Sequence, residues 1–134
     1  MSVLLDTNAL IWLLKDDEKL GSVAAHRIDE ALHSSRVLVS ATSFWEVAIL
    51  VAKKRIALDT GVDQWRVGAL RFGIEEIPLD SESAVHSVGL TGLPADPADR
   101  FIVAMAIRMR AELVTSDARL LAWKGPLACI DARV

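Results

Sequence analysis

Cysteine is almost missing from this chain of 134 residues: Cys129 stands alone, with no CxxC pair and no second thiol to bridge. That excludes a disulfide-stapled scaffold and a structural zinc ribbon, and nothing points to an oxidising compartment. Long apolar runs are missing as well. The longest uncharged stretches, Ser83 to Ala95 and Val37 to Trp45, fall short of the ~18 residues a membrane-spanning helix needs, although mean hydropathy is +0.34. The opening Met1-Ser-Val-Leu-Leu-Asp6 has no basic stretch and meets a carboxylate at once, unlike a signal peptide. A cytoplasmic protein without membrane contact is expected. High hydropathy without a span suggests helices buried on more than one side, or an apolar surface covered by a partner or a second copy. There is no phosphate-cradling glycine loop, no GxGxxG and no Ser/His/Asp arrangement.

What is present fits one domain over residues 1–134, long enough to bury roughly two-thirds of its unfolded surface without staples. The net charge of −3 argues on its face against a nucleic-acid partner. Setting aside four carboxylates as metal ligands leaves the remainder near neutral, so net charge does not decide the question.

Periodicity alternates between strand and helix. Val3 to Leu5 reads as a strand and Ala9 to Leu14 as a helix. Ser22 to Ser34 is amphipathic, Val37 to Val39 is β-rich, and Ser40 to Ser43 offers caps for a helix through Lys53. Asp63 to Phe72 is another amphipathic helix, Ile74 to Leu79 a short strand, Asp80 to Val88 a helix and Gly89 to Ala95 a loop. Asp96-Pro97 starts a helix to about Arg110, with Asp as cap and Pro in the first position. Leu113 to Thr115 is a strand, Asp117 to Trp123 a helical turn, and Leu127 to Ile130 a last strand. This order predicts an α/β fold, a mainly parallel central sheet covered by helices on both faces.

In such a sheet ligands bind beyond the carboxyl ends of the strands, and four acids fall there. Asp6 ends the first strand, and Glu46 lies about one turn into the helix after the second. From Asp99 the chain descends ~18 Å of helix and then climbs ~17 Å of strand, so Asp117 returns to the level of Asp99 and of Asp6. Each acid except Glu46 has a plain local role as a helix cap or first-turn charge. Glu46 has none: its helical neighbours Thr42, Ser43, Ile49 and Leu50 include no cation, so its desolvation must be met from elsewhere. A gathered set of ionised Asp and Glu needs a cation, and oxygen donors suit Mg²⁺ or Mn²⁺ rather than zinc. His26, His33 and His86 lie on helices away from this edge and read as surface residues. The chemistry such a set supports is phosphodiester hydrolysis.

At these residues the sequence resembles the PIN-domain family, and within it the VapC-type toxins of bacterial toxin–antitoxin pairs. The matching segments are Leu4-Leu-Asp-Thr-Asn8 with Trp12, Ser43-Phe-Trp-Glu46, Asp96-Pro-Ala-Asp-Arg100 and Leu113-Val-Thr-Ser-Asp117, in family order. The resemblance implies an α/β/α sandwich and a Mg²⁺-dependent endoribonuclease, commonly homodimeric, inhibited by a small VapB-type antitoxin. It also implies that Asp6, Glu46, Asp99 and Asp117 form the acidic metal site, that Asp96 caps its helix, and that Asn8, Thr115 and Ser116 orient water or ligands around it. Two departures stand out: Leu93-Pro-Ala95 where many relatives carry a histidine, and Lys53-Lys-Arg55 where many carry a glycine.

For gripping RNA the candidates are Lys53, Lys54, Arg55, Arg100 and Arg119, with backbone charge and RNA shape expected to dominate because no aromatic stacking platform is visible. Trp12, Trp45 and Trp123 are expected in the core, and Trp65 in a partner groove. Rival readings are an aspartyl-phosphate enzyme, disfavoured because Asn8 replaces the second acid and Lys124 follows no strand; a PIN-like RNA-processing nuclease outside a toxin system; and a PIN-like module without activity.

Overall fold

The computed structural model describes residues 1–134. Five strands form one sheet: β1 (Val3–Leu5), β2 (Val37–Ser40), β3 (Glu75–Ile77), β4 (Glu112–Thr115) and β5 (Cys129–Asp131). Seven helices connect them: α1 (Thr7–Leu14), α2 (Ser22–Ser34), α3 (Ala41–Ala52), α4 (Val62–Phe72), α5 (Ser81–Val88), α6 (Pro97–Met109) and α7 (Ala118–Leu121). The order across the sheet is β3-β2-β1-β4-β5. Every pair is parallel, with Leu5 opposite Val39 on one side and Val114 on the other. The expected α/β/α sandwich is the observed fold.

Side chains alternate across a strand, and here both faces are apolar because both are covered. Val3, Leu5, Val37, Val39 and Val114 pack with Leu10, Ile28 and Val47 under α1 to α4. Leu4, Leu38 and Leu113 pack with Ile102, Val103 and Met105 of α6 on the other face. Continuous apolar strands are what a parallel sheet buried on both sides requires. β3 is shorter than the run Ile74 to Leu79 suggested, since it lies at the edge and carries Glu75 and Glu76. Each makes a two-pronged pair with an arginine, Arg36 at 2.9 and 2.7 Å and Arg66 at 2.9 and 2.6 Å. Such charges keep an open edge from pairing with another chain.

The strand order places the reversal of winding between β1 and β4. Chain leaving β1 and chain leaving β4 therefore diverge and open a crevice at the carboxyl edge.

α3 ends in a Schellman arrangement: the Arg55 amide donates to the Leu50 carbonyl at 2.9 Å and the Lys54 amide to Val51 at 3.0 Å. Lys54 sits at φ +58°, a left-handed conformation that glycine adopts without Cβ strain. The lysine departure noted above is thus a side chain occupying a glycine position. Replacing Lys54 by Gly should raise the unfolding free energy by about 0.5–1 kcal/mol, while Lys54→Ala keeps the Cβ and should not. Chemical denaturation of the two variants reads the difference.

Candidate active site

Three acids on the crevice rim are helix N-caps. Asp6 follows β1, and its amide donates to the Val114 carbonyl at 3.0 Å, locking it to β4. Its Oδ1 accepts the Ala9 amide at 2.8 Å at the head of α1. Asp96 caps α6 through the Ala98 amide at 3.0 Å, ahead of Pro97. Asp117 caps α7 through the Arg119 amide at 2.9 Å. Asp99 lies in the first turn of α6, and Glu46 on α3.

The electrostatics distinguish these groups. Asp6 is only 9% exposed, and burial pushes its pKa up. The Thr115 hydroxyl and the amides of Ala9 and Ser116 oppose that rise without cancelling it. Glu46 is also raised, first by burial and then by Asp96 and Asp6, against the Thr7 hydroxyl that bonds it. Asp99 is pushed to about 7 by burial and, in decreasing order, by Asp96, Glu46, Asp117 and Asp6. No ion pair reaches it. Asp117 alone is lowered, because the Arg119 guanidinium grips it at 2.9 and 3.2 Å.

The four predicted acids therefore sense one another across four elements, as the equal lengths of helix and strand implied. Their oxygens are not closed on a common point: no three acidic, histidine or cysteine side chains are arranged as a finished ion cage. Asp6, Glu46 and Asp117 each have an oxygen engaged by a protein donor. The donor set nevertheless fits a hard divalent ion. It is all oxygen, it is partly desolvated, and Arg119 is the sole cation paired into it.

Around it, Thr115 is fully buried and its hydroxyl accepts the Asp117 amide at 3.1 Å, and Thr115 together with the Ser116 amide restrains Asp6. Asn8 is exposed in the first turn of α1. Sequence reasoning missed Thr7 as a partner of Glu46. Its Oγ1 lies 2.5 Å from Glu46 Oε1 and 3.0 Å from Ser43 Oγ. With one hydrogen to give, Thr7 donates to the carboxylate and accepts from Ser43. The signal was there in a Thr directly after Asp6 and a Ser one helical turn before Glu46.

The basic candidates separate. Arg119 is at the rim. Arg100 is not free for RNA: its five N–H donors go to the carbonyls of Ser87 (3.1 Å), Val88 (3.4 Å), Leu90 (2.5 Å), Leu93 (3.4 Å) and Pro94 (3.2 Å). A guanidinium has five such hydrogens and no more, so this arginine straps the loop before α6. Lys53, Lys54 and Arg55 are exposed but stand at the far end of α3, ~10 Å of helix beyond Glu46, and are not brought to the rim. Trp45, expected in the core, is 59% exposed. Trp12 is buried, and Trp65 is half-buried edge-on to Phe44. His26, His33 and His86 are exposed.

The chain is thus an α/β/α sandwich with an acidic crevice at the switch point of its parallel sheet. The PIN domain model matches residues 3–124; the chain belongs to the PIN-domain family. It is 32% identical over 126 residues to Ribonuclease VapC22 of Mycobacterium tuberculosis, covering 93% of this chain and 94% of that protein. Among solved structures, the fold is similar to VapBC2 from Rickettsia felis bound to a DNA fragment from its promoter, with TM-score 0.73, 18% identity and 97% and 98% of the two chains covered. It is also similar to DNA-bound VapBC from Salmonella typhimurium, with TM-score 0.69, 20% identity and 98% of each chain covered.

Two outcomes are expected of the site itself. Asp99 holds its proton to about pH 7 when folded and to about 4 when unfolded. The folded state then binds more protons between those values, so stability falls as pH rises through them. Asp99→Asn should raise metal-free stability at pH 7.5 by about 1–2 kcal/mol, after discounting for solvent screening. The gain should shrink towards zero near pH 4, as read by thermal melting with EDTA present. Thr7→Val should cost about 1–2 kcal/mol at neutral pH by stranding the Glu46 carboxylate, with Thr7→Ser restoring it.

Proposed function

We propose that the chain is a divalent-metal-dependent endoribonuclease, the toxin of a toxin–antitoxin pair, which hydrolyses RNA phosphodiester bonds with Asp6, Glu46, Asp99 and Asp117 as its metal-holding and catalytic acids. The observation that carries this reading is Asp99: burial and four acidic neighbours push it to about 7, a cost the chain bears with no positive side chain on that group. The named relative is a ribonuclease, and solved structures of the same fold are VapBC complexes.

Mg²⁺, with Mn²⁺ as substitute, is the ion of choice for these oxygens. When bound, it supplies Lewis acidity that sharpens an attacking water and offsets charge on the phosphate. The remaining work belongs to the protein. Thr7 fixes the Glu46 carboxylate through its hydroxyl, and Thr115 with the Ser116 amide fixes Asp6. Asp96 keeps the head of α6 wound so that Asp99 faces the rim. Arg119, exposed at the rim, exchanges Asp117 for a substrate phosphate. Lys53, Lys54 and Arg55 lie on the surface away from the crevice and serve RNA further from the cut.

A VapB-type antitoxin is the proposed partner, and a homodimer the proposed assembly, acting in the cytoplasm; no helix is long and apolar enough to cross a membrane. The antitoxin seat is the groove of about 650 Å³ where Trp65, Leu14, Leu58 and Ala69 meet beside α4.

Purified protein incubated with structured RNA and Mg²⁺ should cleave it. EDTA should abolish the reaction, and Asp6→Asn and Asp99→Asn should each lower it by at least about 100-fold. Mg²⁺ should also raise the Tm of the wild-type protein and raise that of Asp99→Asn less. Cleavage untouched by both substitutions would overturn the metal-nuclease reading; no cleavage alongside tight antitoxin binding would identify a PIN-fold binding module instead.

A further inference from the structure

Trp45 is the anomalous residue of α3. Neighbouring positions on a helix point ~100° apart, so Phe44 and Trp45 cannot share a face. Phe44 takes the core, 7% exposed, with Val47 fully buried beside it, while Trp45 leaves 59% of its surface in water. A side chain of that size normally contributes to folding by burial, and here most of that contribution is forgone.

Beside the indole runs a groove of about 260 Å³ between α3 and the head of α6. Ile49, Pro97 and Phe101 make its apolar walls, and Glu46 and Asp96 lie along it. These two carboxylates also belong to the acidic rim, so the groove is an extension of the proposed cleavage site. RNA laid across that rim passes over it.

Three properties define an occupant. The volume lies below the ~300 Å³ at which drug-sized sites begin and suits one flat ring system. The apolar walls and the free π face favour stacking, which is sequence-tolerant because every base has such a face. Ionised carboxylates only accept hydrogen bonds, and Oε1 of Glu46 already takes the Thr7 hydroxyl, so the edge of the ligand must donate to Asp96 and the free Glu46 oxygen, and a phosphate is unwelcome here.

We propose that this groove is a nucleobase subsite, in which an unpaired base flanking the scissile bond stacks on Trp45 and turns its amino edge towards Glu46 and Asp96. The subsite rests on the ribonuclease reading above and adds its base preference. Adenine, cytosine and guanine carry an exocyclic amino group; uracil has none, and its single N3–H donor is flanked by two carbonyls that meet the carboxylates unfavourably. Uracil is therefore the poorest occupant. An aliphatic side chain from a second protein is a worse match, since it would bury the two acids without offering them a donor.

The test uses the full chain carrying Asp6→Asn, so that RNA stays intact, and fluorescein-labelled 12-nucleotide oligo(A) or oligo(U) read by anisotropy in Mg²⁺. Adding Trp45→Ala should weaken oligo(A) binding about tenfold, within the range for one base–aromatic stack. Trp45→Phe should cost less than about threefold, and oligo(U) should bind more weakly than oligo(A) and lose less. Placed alone in the otherwise wild-type chain, Trp45→Ala should leave the rise in Tm with Mg²⁺ unchanged, which separates lost stacking from a damaged fold. In the otherwise wild-type chain, Trp45→Ala should raise KM and leave kcat within about threefold. Unchanged affinity for oligo(A) in the alanine variant would overturn the subsite, as would absence of RNA binding in the parent. A switch from dimer to monomer on Trp45→Ala, seen by sedimentation, would assign the groove to a second copy and overturn it as well. Failure of the wild-type chain to cut RNA, with Trp45-dependent binding intact, would remove the ribonuclease reading alone.

Discussion

Negative charge confined to one rim is the constraint around which the rest is arranged. Asp6, Glu46, Asp96, Asp99 and Asp117 approach from four separate elements, and two unit charges ~4 Å apart repel by ~4 kcal/mol even at an effective dielectric of 20. The fold tolerates this because the rim is also where helices begin. Asp6, Asp96 and Asp117 each give one oxygen to a helix-opening amide, and the positive ends of α1 and α6 face the same space. A carboxylate that caps a helix with one oxygen is held in place at the rim; Asp117 goes further and gives both oxygens to Arg119.

The architecture was readable from the sequence because a parallel sheet buried on both faces leaves little ambiguity. Val3 to Leu5 and Val37 to Val39 are wholly apolar, and the stretches between them have helical spacing or caps. The Asp96-Pro97 start marked a helix to about Arg110, and α6 runs from Pro97 to Met109. The elements that drifted were β3 and β5, both at sheet edges, where only one neighbour fixes the register and the charges of Glu75 and Glu76 break the apolar run.

The site was legible in part, for a related reason. Acids that end strands or open helices are located by the backbone, so Asp6, Asp99 and Asp117 could be placed by counting residues. Side-chain partnerships over long separations could not. Thr7 beside Asp6 and Ser43 one turn before Glu46 stand in the sequence, but only the fold joins Thr7 to Glu46 across 39 positions, and only the fold turns Arg100 away from the acid beside it to hold a loop. Trp45 escaped because residue type was weighed without helical phase: with Phe44 and Val47 on the buried face, its exposure followed.

Arg100 gives the loop before α6 a mechanical meaning. Its guanidinium ties five carbonyls between Ser87 and Pro94 to the helix turn that also carries Asp99. Residues 89, 91 and 92 of that strap lie open to solvent. Pulling that loop away from the body would therefore break hydrogen bonds made by the same helical turn that carries Asp99.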